Sequence, residues 1–253
     1  MKYKGYLIDL DGTIFKGTDI IPGAKEFIDE LNNRELSYLF VTNNSSLTAE
    51  FVVDKLKDMN IKVHTNQVLT SSIATAKFIK KQAVKPSCFV IGEIGLISAL
   101  RNEGIIMSSN DVTHVVTGID RSITYDKLSE ACMHVRNGAQ FISTNSDRAI
   151  PTEKGLQPGN GALTAVISTS TNKDPIFIGK PEKTMMDVAL SMINLKKDEV
   201  MLIGDNYLTD IKAGINYGID TALVLTGISQ EADIKDKELP NYILKDLSEF
   251  KFE

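Results

Sequence analysis

The sequence predicts an α/β protein, a doubly wound, Rossmann-like parallel sheet into which a smaller α/β domain is inserted. Three observations predict it. Short, continuous apolar runs alternate with stretches of helical periodicity, the pattern of strands covered by helices on both faces. Several of these runs stop abruptly at polar residues, as strands do at the carboxyl edge of such a sheet. The chain has 253 residues, 42% of them hydrophobic, enough for one large domain or for two that share a boundary.

The first apolar run is Tyr6–Leu10, which ends at the turn Asp11-Gly12 and reads as a buried strand. Pro22-Gly23 opens a helix whose Ala24, Phe27, Ile28 and Leu31 fall on one stripe. Tyr38–Val41 is the next strand and runs into Thr42-Asn43-Asn44; a helix with Val52, Leu56 and Met59 follows, then another over Ser72–Lys81. In the middle of the chain Phe89–Ile91, Val115–Thr117 and Phe141–Ser143 read as strands, and Leu96–Arg101, Leu128–Val135 and Ala162–Ser168 as helices. The pattern then resumes with strand Ile176–Ile178, a helical stripe of Met186, Ala189, Leu190 and Ile193, and strand Val200–Ile203. A helix over Leu208–Tyr217 and strand Thr221–Leu225 complete it. The expected organisation is a core from 1–82 and 175–253, with 83–174 as the inserted domain.

Composition narrows the functional classes. Charged residues make up 24% and the formal net charge is −5, which argues against a broad nucleic-acid surface but not against small anionic substrates in a local basic site. Cys88 and Cys132 both lie in apolar stretches and read as buried thiols of a reducing compartment. The opening apolar run is short and broken by acids, unlike a signal peptide. No stretch approaches the roughly 20 apolar residues of a membrane span. The expected location is the cytoplasm.

Four segments carry chemistry, each after an expected strand. Asp9-Leu10-Asp11-Gly12-Thr13 holds two carboxylates that an extended chain can project to one side. Beside a divalent cation such a carboxylate can attack phosphorus and form an acyl phosphate; alone, the pair reads first as a strand ending in a solvated acidic turn. Thr42-Asn43-Asn44 can donate to phosphate oxygens, though Thr and Asn are common in turns and caps. Lys180, between Gly179 and Pro181, can put an ammonium on a phosphate beside a helix start, though alone it reads first as a surface lysine in a turn. Asp205 follows a strand and Asp210 lies five residues on; such hard oxygen donors suit Mg2+, while a helix cap and first-turn acid are the plainer reading.

In combination these residues resemble the haloacid dehalogenase superfamily of phosphatases. Asp9 and Asp11 match its nucleophile motif, Thr42 its second motif, Lys180 its third, and Asp205 with Asp210 its fourth. Between Thr42 and Lys180 lie 137 residues, of which roughly 90 exceed what the core needs, enough for a compact domain. That resembles the α/β cap of the NagD-like, p-nitrophenyl phosphatase-like branch. Thr144-Asn145-Ser146-Asp147, Pro158-Gly159-Asn160-Gly161-Ala162 and Leu225-Thr226-Gly227-Ile228-Ser229 also look like that branch's signatures.

The resemblance implies a Mg2+-dependent phosphatase acting through an aspartyl-phosphate. Asp9 would be the nucleophile and Asp11 the general acid, then base. The metal would be held by the Asp9 carboxylate, the Asp11 carbonyl and the Asp205 carboxylate, with Asp210 as an outer or water-mediated partner and Asn206 nearby. Thr42, Asn43 and Lys180 would hold phosphoryl oxygens, and Asn145 and Asp147 would lie near the cap's substrate-facing loop or form an ordinary Asn/Asp turn. The implied substrate is a small phosphorylated metabolite such as a sugar phosphate or nucleoside monophosphate, with 4-nitrophenyl phosphate as an artificial one. Neither a nucleic-acid polymer nor a membrane is an expected partner, and monomer and cap-mediated homodimer both stay open. The alternative is a catalytically weak phosphate-ligand-binding regulator on the same fold. A dehalogenase is disfavoured by Asp11, and a dinucleotide oxidoreductase by Asp-Gly-Thr in place of a glycine-rich loop.

Overall fold

A computed structural model describes residues 2–152 and 154–252; the expected outer ends of the core, positions 1 and 253, lie outside them. The chain forms two compact units. One takes in Met1–Thr42, Ala49–Leu69 and Lys180–Glu253; the other takes in Asn43–Thr48 and Thr70–Gly179.

In chain order the elements begin with β1 (Gly5–Ile8), a small antiparallel hairpin of β2 (Phe15–Lys16) and β3 (Asp19–Ile20), α1 (Ala24–Asn33), β4 (Ser37–Thr42), α2 (Ala49–Asp58) and β5 (Val68–Thr70). There follow α3 (Ser71–Gln82), β6 (Ser87–Ile91), α4 (Ile94–Asn102), β7 (Ile106–Met107), β8 (His114–Thr117), α5 (Tyr125–Arg136) and β9 (Gln140–Ser143). The hairpin of β10 (Ala149–Thr152) and β11 (Gly155–Pro158) leads to α6 (Asn160–Thr171) and β12 (Ile176–Phe177). The last elements are α7 (Lys183–Ile193), β13 (Val200–Gly204), α8 (Lys212–Tyr217), β14 (Asp220–Val224) and β15 (Tyr242–Leu244).

The first unit is built on a six-stranded sheet of order β15-β14-β13-β1-β4-β5. β1 runs parallel to both β13 and β4, with Ile8 opposite Ile203 on one side and Phe40 on the other. Leu7, Ile8, Phe40, Leu202 and Ile203 are fully buried, which is why these strands read as unbroken apolar runs. Each such side chain contributes about 2 kcal/mol of transfer free energy. α1 buries the expected Ala24, Phe27, Ile28 and Leu31. The second unit has its own parallel sheet, β12-β9-β8-β6-β7. Its core packs Phe89, Ile91, Val115 and Phe141 against Ala131, Cys132 and Val135 of α5 and Ile167 of α6.

Three local readings change. Ile176–Phe177, expected beside the returning core strands, pairs instead with β9 in the five-stranded sheet, Ile176 opposite Ile142; a two-residue edge strand carries no signal of which sheet it joins. The expected helix over Leu208–Tyr217 begins as a wide π-type turn, Tyr207–Ile211, before α8. There the Asn206 carbonyl takes the amides of Thr209, Asp210 and Ile211, and Asp210 Oδ2 accepts the Asn206 N–H at 3.0 Å. Two strands, β5 and β15, join the first sheet where no strand was located.

Among the described residues no helix is long and apolar enough to cross a membrane.

Candidate active site

The strand register of the first unit brings its acids together. Asp9 directly follows β1 and Asp205 directly follows β13, its neighbour, and the Asp9 N–H donates to the Ile203 carbonyl at 2.9 Å. Asp210 returns to the same strand ends through the wide turn. One carboxylate oxygen from each of Asp9, Asp205 and Asp210 lies within 4.8 Å of the others, and all three residues are buried.

Lys180 is buried among them. Its Nζ lies 2.5 Å from Asp9 Oδ1, 2.6 Å from Asp210 Oδ1 and 2.7 Å from the Val41 carbonyl. The residue precedes the cis peptide to Pro181, at the approach to α7. Burial would lower the Lys180 ammonium, but Asp210 and Asp9 outweigh it and hold it above its ordinary value. Burial pushes the Asp9 carboxyl well up against the opposing pull of Lys180, with Asp210 and Asp205 adding to the rise. Burial and then Asp210 push Asp205 up to about 6, against the Ile228 N–H that donates to it.

This donor set fits a divalent cation. Three buried carboxylates against one ammonium leave two formal negative charges, the complement of one M2+ ion, and hard oxygen donors are what Mg2+ takes. Burial, with like charge close by, shows in the raised carboxyls of Asp9 and Asp205.

The loop after β1 turns back at once. The amides of Thr13, Ile14 and Phe15 reach the Leu10 carbonyl at 3.2, 2.8 and 3.2 Å, and Gly12 N–H reaches the Phe15 carbonyl at 2.8 Å. Gly12 has φ +88, and a Cβ there would meet the Asp205 carboxylate, so only glycine satisfies both conditions. Asp11, at the start of this turn, is exposed and stands outside the trio of converging acids. Its carboxyl is nevertheless raised by the surrounding protein, opposed first by Lys55 and then by Lys180. The Lys55 ammonium sits over the Phe15 ring, 3.6 Å from its centroid. Thr42, at the end of β4, is buried. Asn206 caps the wide turn, its side chain accepting from Leu208 N–H at 3.0 Å.

The segment Leu225–Ser229 has a task that its sequence alone does not show. Thr226 Oγ1 donates to the Gly12 carbonyl at 2.5 Å, Ile228 N–H donates to Asp205 Oδ2 at 2.7 Å, and Ser229 N–H to the Asp205 carbonyl at 3.1 Å. At Gly227 a Cβ would run into Asp205 itself. This loop therefore fixes the orientation of one carboxylate and the turn after the other.

The second unit brings together a separate group: Asn43, Asn145 and Asp147. Asn145 Nδ2 donates to the Asn43 carbonyl at 2.8 Å, and Asn43 Nδ2 lies 3.3 and 3.4 Å from the two Asp147 carboxylate oxygens. Asn145 Oδ1 also accepts the Asp147 N–H at 3.1 Å, so the Asn/Asp turn forms and its side chains are tied to Asn43 as well.

Comparison with known proteins follows the same lines. A haloacid dehalogenase-like hydrolase family model matches residues 6–106, and a HAD-hydrolase-like model matches residues 177–250. The chain is 50% identical over 250 residues to an acid sugar phosphatase of Staphylococcus aureus, covering 98% of this chain and 96% of that one. It is 49% identical over 249 residues to the 5'-nucleotidase YutF of Bacillus subtilis, covering 98% and 97%. Among solved structures, a single mutant of the thermostable p-nitrophenylphosphatase from Bacillus stearothermophilus superposes with TM-score 0.91 at 48% identity, covering 99% of both chains.

Proposed function

Because the chain belongs to the haloacid dehalogenase-like hydrolases, in their NagD-like branch, and is a phosphoric monoester hydrolase, we propose that it hydrolyses small phosphomonoesters through an aspartyl-phosphate on Asp9, with Mg2+ as its metal. The observation that carries the reading is the buried trio of Asp9, Asp205 and Asp210 around one lysine.

The carboxylates of Asp9 and Asp205, with the Asp11 carbonyl and with Asp210 as inner or outer partner, would hold the ion. Bound there, Mg2+ supplies charge neutralisation for a phosphate dianion approached by an anionic nucleophile. The chain's own residues do the rest. Lys180 fixes Asp9 Oδ1 in place and adds positive charge where the transferring group gains negative charge. Thr42 and Asn43 donate to phosphoryl oxygens alongside it.

The Asp9 carboxylate attacks phosphorus as the ester oxygen leaves with a proton from Asp11. Asp11 then takes a proton from the water that opens the acyl phosphate, returning both acids to their starting states. A raised Asp11 carboxyl suits the first of these steps. The second unit, of which residues 83–174 are the greater part, would act as the cap, with Asn145 and Asp147 on its substrate-facing loop, closing to exclude bulk water and select the leaving group. Sugar phosphates and nucleoside monophosphates are the proposed substrates, in keeping with the names of the relatives. A cytoplasmic location belongs to the same reading, supported by Cys88 and Cys132 as buried free thiols.

The test is inorganic phosphate release from a panel of sugar phosphates, nucleoside monophosphates and 4-nitrophenyl phosphate with Mg2+. Turnover by the wild type and its loss in Asp9→Asn are expected. Near-normal turnover by Asp9→Asn would defeat the proposal, and silence of the wild type on the whole panel would favour a phosphate-binding regulator.

A further inference from the structure

We infer that Asn160 is a positioning residue for the substrate loop, holding the Asn145 peptide in place and through it the Asn43 carbonyl. The inference rests on the reading above that Asn43 and Asn145 meet the substrate.

Asn160 is the first residue of α6 and is 2% exposed. Asn160 is not the cap of α6; that position is Gly159, which makes no side-chain bond to the helix. The Asn160 Nδ2 lies 2.9 Å from the Asn145 carbonyl, 2.9 Å from Ser143 Oγ, 3.2 Å from Thr144 Oγ1 and 3.5 Å from the Thr117 carbonyl. A backbone carbonyl only accepts, so the amide nitrogen has to face Asn145, which settles the orientation of the Asn160 side chain. Its Oδ1 is buried with no hydrogen-bond partner among the described residues. A half-satisfied buried amide is costly, and what it gains is the hold on this loop.

The Asn145 carbonyl takes a second bond from Ser143 Oγ, at 3.0 Å. With two donors on its oxygen, the peptide after Asn145 has one orientation. The side chain of Asn145 then reaches out to the Asn43 carbonyl at 2.8 Å, which Ser71 Oγ supports from another side at 2.7 Å. The neighbouring glycines continue the mould. Gly161 N–H donates to the Asp147 carbonyl at 2.8 Å and Gly159 N–H to the Arg148 carbonyl at 2.9 Å. A Cβ on either glycine would run into the backbone of Ser146 or Asp147. The segment Gly159-Asn160-Gly161 thus shapes the loop that carries Asn145 and Asp147, although Asn160 itself is buried behind that loop.

The experiment is a double-mutant cycle on kcat/KM for 4-nitrophenyl phosphate with Mg2+, using Asn160→Ala, Asn145→Ala and the double variant, each checked for folding by circular dichroism. Asn160→Ala is expected to lower kcat/KM about tenfold alone and less than about twofold once Asn145 is already Ala, because the partner it acts through is gone. A merely structural role would give equal losses in both backgrounds and overturn the inference, as would an Asn145→Ala variant with wild-type kcat/KM. If Asn160→Ala does not fold, Asn160→Ser, which keeps a small polar group in the network, is read the same way. Asp9→Asn run alongside separates the failures. Activity surviving there removes the premise and the inference with it, whereas a dead Asp9→Asn with equal Asn160 losses overturns the inference alone.

Discussion

Lys180 Nζ donates to Asp9 Oδ1 at 2.5 Å, from a side chain with 2% of its surface exposed to one with 11%. A buried ammonium and a buried carboxylate offset each other's desolvation, and neither is cheap to leave alone. With Asp205 and Asp210 close by, removing the lysine leaves three acids with no internal counter-charge.

Lys180→Met is therefore expected to lower stability in chelator by about 3 kcal/mol and to reduce phosphatase kcat by at least about a hundredfold. Urea unfolding followed by circular dichroism, with steady-state assays beside it, measures both. A variant as stable as wild type in chelator would show that the ion pair does not compensate the cluster.

Gly227→Ala places a methyl group where the Asp205 carboxylate lies. That carboxylate must turn away from the Ile228 N–H, so the Mg2+ concentration for half-maximal activity is expected to rise about tenfold or more, the usual scale for loss of a ligand's supporting contacts. Activity titrated against Mg2+ measures this, and an unchanged midpoint would count against Asp205 as a ligand.

Metal binding to the folded state alone raises stability by mass action, about 2.7 kcal/mol at a hundred times the dissociation constant. Thermal unfolding should shift upward with Mg2+ in the wild type and not in Asp205→Asn. Equal shifts in the two proteins would place the ion elsewhere.

Asp220, at the start of β14, accepts from Lys2 Nζ at 2.7 Å, Tyr3 OH at 2.7 Å and Asn241 Nδ2 at 3.1 Å. The Lys2 bond, chiefly, holds its carboxyl below the ordinary value. A depressed folded-state pKa gives stability that is present above the unfolded value of about 3.9 and is lost as pH falls through the folded one. Asp220→Asn should cost about 1 kcal/mol or less near neutrality, since the pair is partly solvated. The deficit should shrink below about pH 4. Denaturant unfolding across pH checks the sign; a deficit that grows in acid would contradict it.

The parts of the fold legible in the sequence are those whose signal is local. β1, β4 and β13 are buried on both faces and appear as apolar runs; α1 shows its stripe at Ala24, Phe27, Ile28 and Leu31. β15 spans three residues, none fully buried, and the β10–β11 hairpin is largely exposed. Neither leaves a periodic apolar trace. The acids at 9 and 205 are readable as strand-end motifs, and Asp210 by its spacing from Asp205. The tie between Asn43, Asn145 and Asp147 was not, because it joins residues about a hundred positions apart through a side chain and a backbone carbonyl. Asn160 stands in a recognisable motif, but what it holds was hidden, because its partners are backbone and hydroxyl oxygens, which no residue pattern announces.

The central claim is that Asp9 carries the phosphoryl group between substrate and water. Acid-quenching the enzyme during turnover of 4-nitrophenyl phosphate with Mg2+, then mapping the adduct by peptide mass spectrometry, tests it most directly. One phosphoryl group on the peptide containing Asp9, absent from Asp9→Asn, is the expected result. An active enzyme that stays unmodified there, or carries the group on another residue, would contradict the account.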